Sequence, residues 1–271
     1  MSLKKRLVAY MKEDWRFPAN IEADGLADEM KEAIGNPDGV LRDRLVLSGF
    51  CRLIASGRIS DKKCRMLFDE LVSDKYLLNG LGTECDDSVF GRAFSGYVIV
   101  ELLNYNEEKK GEVFAKEDTL HAFWAVLKCF SDEKDLRGFV DGKGWAHSIA
   151  HNADCLAAFA GDGALEHDEL MAILKAIKIR VHQCQGEIIS EYGRILEPVL
   201  SVLGRKIISE QNFLDWLTDT CFYERTGNPD EDARNIMARL EFAINLRSKL
   251  RENYPNLISY VLDETMTLIA M

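Results

Sequence analysis

His147, His151 and Asp154 stand at i, i+4 and i+7, a spacing that puts two imidazoles and a carboxylate on one face of a helix. That donor set suits zinc or another divalent ion with a position left for water. The H-E-x-x-H arrangement of metalloproteases is excluded, because Ser148 and Ile149 follow His147. The alternative is that the three groups hydrogen-bond with Arg92, Arg137 and one another in a partly buried network, since buried charges need partners. Upstream, Asp141-Gly142-Lys143-Gly144-Trp145 reads as a turn and helix start. Its glycines allow backbone conformations closed to other residues, and exposed amides with Lys143 beside them favour an anion. Trp145 could stack on a planar ligand or simply belong to the core. Gly138 to Lys143 falls one residue short of a phosphate-binding P-loop, with no Ser or Thr following. As a calcium loop the run from Asp141 fails, because Asn152 stands where the bidentate Glu belongs. A second polar start, Asp87-Ser88-Val89-Phe90-Gly91-Arg92, offers a capping Asp and an Arg able to grip a carboxylate with both prongs.

Helices must position these groups. Apolar residues recur at helical spacing almost throughout, with clear stripes at Leu120, Phe123, Trp124, Leu127 and Phe130, and at Leu170, Leu174, Ile177 and Val181. Helices are expected near 2–14, 22–34, 38–57, 60–74, 86–104, 116–132, 141–160, 166–184, 190–204, 209–223, 229–253 and 256–270, with no strands of consequence. Asn228-Pro229-Asp230-Glu231 supplies a cap, a first-turn proline and acids at the positive end of a helix dipole. Each helix pair takes roughly 45–50 residues, close to the ~40–47-residue period of HEAT and armadillo pairs. The fold class expected is therefore all-α, a HEAT/armadillo-like α-α superhelix of stacked antiparallel pairs. It reads as one domain over 1–271, with cap helices at 1–34, the stack at 35–253 and a cap helix at 254–271. In such a stack, helices 38–57, 86–104 and 141–160 share one layer. Arg42, Asp43, Asp87, Arg92, His147, His151 and Asp154 then converge on one polar pocket. The terminal helix carries Leu257, Ile258, Val261, Leu262, Leu268 and Ile269. This broad stripe is covered either by helix 229–253 or by a second copy in a two-fold dimer.

Composition narrows the partners. The formal charge of −11, from 45 acids against 34 bases, repels phosphate backbones, and no basic stripe opposes it, so nucleic acid is not an expected partner. No apolar run approaches the ~20 residues of a membrane span. Seven cysteines are scattered singly without a C-x-x-C pair, and no N-x-[ST] acceptor or signal peptide is read, which together indicate a reducing, cytoplasmic setting.

Leu41-Arg42-Asp43, the run Asp87 through Ser95 and the stretch Lys134 through Asp154, with its Gly-Trp-Ala-His-x-x-x-His-x-x-Asp core, also carry a resemblance. In this order, over roughly residues 35–250, the chain resembles the bacterial family known as domain of unknown function 2785. The resemblance implies an all-α, HEAT-like fold in a bacterial protein; it supplies no activity.

The first functional expectation is a binding or interaction module, monomeric or homodimeric. Its polar pocket, formed by Asp87, Arg92, Arg137, Asp141, Lys143, Trp145, His147, His151 and Asp154, takes a small anionic ligand or a peptide and requires no cofactor. The second is a zinc-type metal-dependent hydrolase, with His147, His151 and Asp154 as metal ligands and Arg92 or Lys143 holding an anionic substrate. A base-excision enzyme of HEAT-like form is the third, opposed by the acidic charge. Whether the chain is an enzyme at all is left open by the residues.

Overall fold

Helix starts and stops follow local chemistry. In the computed structural model, which describes residues 1–183 and 191–270, the Asn228 side chain accepts from the backbone N–H groups of Asp230 and Glu231, and Pro229 opens the helix behind it. Ser60 and Ser209 cap their helices in the same way. The helices are α1 (Leu3–Lys12), α2 (Ala23–Glu32), α3 (Ser48–Ala55), α4 (Asp61–Leu71), α5 (Ser88–Glu108), α6 (Lys116–Asp132) and α7 (Ser148–Gly161). They continue with α8 (His167–Gln183), α9 (Tyr192–Ile195), α10 (Glu197–Arg205), α11 (Glu210–Cys221), α12 (Pro229–Asn253) and α13 (Ile258–Ala270).

Three departures from the sequence reading matter. The expected helix 38–57 is a π-helical segment, Val40–Leu47, running into α3. The expected helix 141–160 begins only at Ser148; its first residues belong to a hairpin of β1 (Phe139–Val140) and β2 (Gly144–Trp145), paired Phe139 to Trp145 and Val140 to Gly144. Gly142 and Gly144 in left-handed backbone turn the chain there, with φ of 69° and 83°, where a helix cannot continue. Trp124, expected in the α6 core stripe, is half-exposed, and the buried face is Thr119, Ala122, Phe123, Val126, Leu127, Cys129 and Phe130. Cys184 and the expected helix ends at 184 and 190 lie outside the described residues.

The chain divides into two compact units, Met1–Cys155 and Leu156–Met271. In the first, α3 packs on α2 and α5, α4 on α5 and α6, and the π-helical segment on α1 and α3. Leu26, Met30, Phe50, Leu53, Leu67, Phe90, Val98 and Phe123 are buried in it. Removing such surface from water is the dominant favourable contribution to folding. In the second unit, α8 packs on α10, α11 and α12, and α13 on α11 and α12. Leu170, Leu174, Ile177 and Val181 are all buried there, as their spacing predicts. Val261 on α13 and Leu257 just before it are buried. The Leu268 and Ile269 side chains lie outside the described residues. Among the described residues, no helix is long and apolar enough to cross a membrane.

Candidate functional site

Two buried arginines hold the region that the sequence singles out. Arg42, on the π-helical segment, is wholly buried. Its Nη2 donates to the carbonyls of Lys143 (2.8 Å) and Trp145 (3.0 Å), and its Nη1 to that of Asn36 (2.8 Å). The guanidinium lies 3.9 Å from the Phe90 ring centroid and 4.8 Å from that of Phe94. Nε forms an ion pair with Asp43 Oδ1 at 2.9 Å. Arg42 thus clamps the hairpin from beneath through backbone carbonyls. Room for this approach comes from glycines: a Cβ on Gly39 would lie 2.7 Å from the Lys143 carbonyl oxygen, and one on Gly144 would lie 3.4 Å from Arg42 Nη2. Val140 packs with Val89, Phe90 and Ala146, tying the hairpin to the core of the first unit.

Arg92 organises the other side. Its Nε and Nη2 meet both oxygens of Glu133, at 2.6 and 2.8 Å, and its Nη1 donates to the carbonyls of Asn79 and Gly80 and to Ser88 Oγ. Glu133 also accepts from the backbone N–H groups of Lys134 and Asp135 and from Ser148 Oγ at 2.7 Å. One carboxylate therefore ties α5, the end of α6 and the start of α7 together. The Asn152 side chain donates to the Ser148 carbonyl, and its Oδ1 faces Gly96, where a Cβ would come within 2.7 Å. This close approach brings α5 and α7 together.

The remaining cations each have an acid. Arg137 grips Asp135 with Nε and Nη2 and reaches the Asp86 carbonyl. Lys143 Nζ sits 2.8 Å from both oxygens of Asp87. Arg92 and Arg137 thus pair with Glu133 and Asp135, two acids that the sequence reading does not select. Asp141 is exposed in the hairpin turn.

The two histidines are neighbours in different settings. His147 precedes α7 with a left-handed φ of 52°, uncommon for a side chain of its size, and its carbonyl accepts the His151 N–H at the helix start. Its ring nevertheless remains beside that of His151, with centroids 6.1 Å apart and planes near perpendicular. The His147 ring stacks on Trp145, centroids 4.3 Å apart and planes 9° from parallel. The buried His151 ring instead lies between Phe94 and Tyr97, with centroids 5.2 and 5.1 Å away. Asp154 is half-buried further along α7. Among the described residues no three His, Cys, Asp or Glu side chains are placed to hold a metal ion.

What faces solvent is aromatic. Trp145 is 47% exposed and Phe139 60%, their rings edge to face with centroids 5.2 Å apart. Beside them, burial pushes the Asp43 carboxyl above its ordinary range, while Arg42 and His147 pull it back.

These features define a mostly helical protein whose first unit presents an aromatic hairpin on a buried ion-pair base. The family model described as protein of unknown function (DUF2785) matches residues 77–247, more than half of the chain, and the chain belongs to this family. The match takes in Arg92, Glu133, the hairpin and α7, while Arg42 and Asp43 lie before it, narrower than the 35–250 read from the sequence. No curated protein and no solved structure matches the chain.

Proposed function

We propose that the protein is a helical interaction module and that the hairpin Phe139–Trp145 is its contact surface, taking a basic peptide segment. The observation that carries this reading is the exposed stack of Trp145 on His147, flanked by Phe139, on a hairpin fixed by Arg42. Leaving two large aromatic rings half in water forgoes about 1 kcal/mol of burial apiece, roughly half of what full burial gives, which a contact surface recovers on binding. The charge pattern selects the ligand. Arg42, Arg92, Arg137 and Lys143 each already face a carboxylate. Asp86 and Asp141 lie exposed beside them. An anion finds no surplus positive charge here, whereas a Lys or Arg of a peptide finds an aromatic face for cation–π contact and acids around it. Helix pairing in which α3 meets α5 and α4 meets α6 supports the HEAT-like form of the scaffold. The hydrolase alternative would use His147, His151 and Asp154 as metal ligands; among the described residues no group of three such side chains is placed to hold an ion.

The test is a peptide selection on the immobilised full chain, with Trp145→Ala and Phe139→Ala as counter-targets. Selected peptides should be rich in Arg and Lys, and should bind either variant at least about tenfold more weakly, the scale of a lost hot-spot ring. Peptides that bind both variants as well as the parent chain would place the contact surface elsewhere.

A further inference from the structure

In the second unit, a cleft of about 390 Å³ between α12 and α13 is lined by Ile244, Arg247, Ser248, Arg251 and Ile258. The volume falls within the range of about 300–1,000 Å³ typical of organic-ligand sites. Arg247 and Arg251 are one helical turn apart, so their guanidinium groups project from the same face of α12. Both are exposed, and neither has an ion pair or hydrogen bond among the described residues. Acid is not scarce nearby: Lys249, lying between them in sequence, is paired with Glu197, and Lys178 in the same unit is paired with Asp219. Arg251 stands in the last turn of α12, where a cation suits the negative end of the helix dipole. Arg247 gains nothing from that, and like charges at this spacing repel. An anion set between the two forks turns the repulsion into attraction.

We infer that this cleft binds a phosphate monoester, with Arg247 and Arg251 on the phosphoryl oxygens, the Ser248 hydroxyl donating between them, and Ile244 and Ile258 covering an apolar substituent. Two planar guanidinium groups match a doubly charged group with three terminal oxygens better than a single carboxylate, which one fork satisfies. Ile244 is 55% exposed, an apolar wall open to a ligand. The site is independent of the hairpin, so the fate of the peptide reading leaves it untouched.

Isothermal titration of the full chain with phenyl phosphate tests the inference, with inorganic phosphate and benzyl alcohol in parallel. Phenyl phosphate should bind saturably at one site, more tightly than inorganic phosphate, and benzyl alcohol should give no saturable heat. Arg247→Gln and Arg251→Gln, exposed positions whose folding is checked by circular dichroism, should each weaken binding about tenfold, the scale of one charge-assisted contact. Ile244→Glu keeps both arginines but places a carboxylate on the wall, and should weaken binding similarly. Sedimentation with vesicles containing phosphatidic acid separates the sources. Vesicle binding lost in the same variants assigns the monoester to a lipid headgroup, and its absence alongside phenyl phosphate binding assigns it to a soluble molecule. Equal phenyl phosphate affinity in the parent chain and the arginine variants overturns the site, as does the absence of both phenyl phosphate and vesicle binding.

Discussion

Arg92 and Glu133 face each other through two parallel contacts, Nε to Oε2 at 2.6 Å and Nη2 to Oε1 at 2.8 Å, and water reaches neither side chain. A buried pair of this kind contributes little beyond a well-packed apolar pair, but leaving one member alone is costly. Glu133→Gln should therefore destabilise the fold by about 3–5 kcal/mol, because the Arg92 charge stays buried without its counterion. The double change Arg92→Met with Glu133→Leu should return most of that loss. Urea denaturation of the three chains measures both, and a double variant no more stable than Glu133→Gln contradicts the account.

Gly39 is predicted to be the least replaceable glycine of the hairpin support. Its own φ of −57° suits any residue, so the obstacle is the Lys143 carbonyl oxygen, 2.7 Å from where a Cβ would sit. Gly39→Ala should cost about 1–3 kcal/mol as overpacking against backbone, and should speed amide exchange at Lys143 and Ala146. Gly142, with φ of 69° and open space around it, should cost about 1–2 kcal/mol on change to Ala through backbone strain alone. Hydrogen exchange distinguishes the two, since only the first loosens the hairpin from Arg42.

The two tryptophans Trp145 and Trp216 should respond in opposite ways. Trp216 is 5% exposed and its Nε1 donates to the Leu174 carbonyl at 2.6 Å. Its replacement by Ala should remove about 3–5 kcal/mol. Trp145→Ala should remove about 1 kcal/mol or less, as expected at an exposed position. Thermal melts report both, and a Trp145 variant as unstable as the Trp216 variant would give the aromatic hairpin a structural role in place of a binding one.

His182 should give the second unit an acid-sensitive component of stability. Its Nε2 donates to the Thr220 carbonyl at 3.0 Å, and burial, with Arg239 nearby, holds its imidazole below the ordinary 6.5. A depressed histidine means the unfolded chain takes up the proton first. Its contribution is therefore complete above the ordinary value and declines as the pH falls below 6.5 toward the lower folded value. Denaturation of the parent chain and of His182→Gln across that window should show the parent losing stability faster. Parallel curves would remove His182 from the account.

Spacing revealed the helices well where one face meets one neighbour. Helix α6 occupies the expected 116–132, and Asn228-Pro229 opens α12 where its capping chemistry says it should. The hairpin was misread because Asp141-Gly142 carries a turn signal as strong as its helix-start signal, and strands of two residues leave no alternating pattern to find. Of the candidate site, the crowding of Arg92, Arg137, Lys143, Trp145, His147 and His151 around the hairpin and the start of α7 was legible from residue type and spacing. Their partners were not: Glu133 meets Arg92 across 41 positions of sequence, and nothing in a periodic pattern marks an acid that will be buried. A carboxylate just past an apolar helix end, with a second acid two residues on, is the signal that could have found Glu133 and Asp135. Arg42 was noticed, but its depth depends on a π-helical segment whose apolar spacing resembles that of an α-helix.

That segment makes the placement of Arg42 a matter of residue count. A π-helix accommodates more residues per turn than the α-helix it leads into. Dropping one residue between Asp43 and Leu47 would let the segment relax toward ordinary helix and would change the direction in which Arg42 points relative to α3. Arg42 would then swing away from the Lys143 and Trp145 carbonyls, although every residue touching them was still present. Across relatives of this chain, substitutions within 40–47 should be tolerated more readily than changes of length, and a single-residue deletion there should release the hairpin where conservative replacements do not.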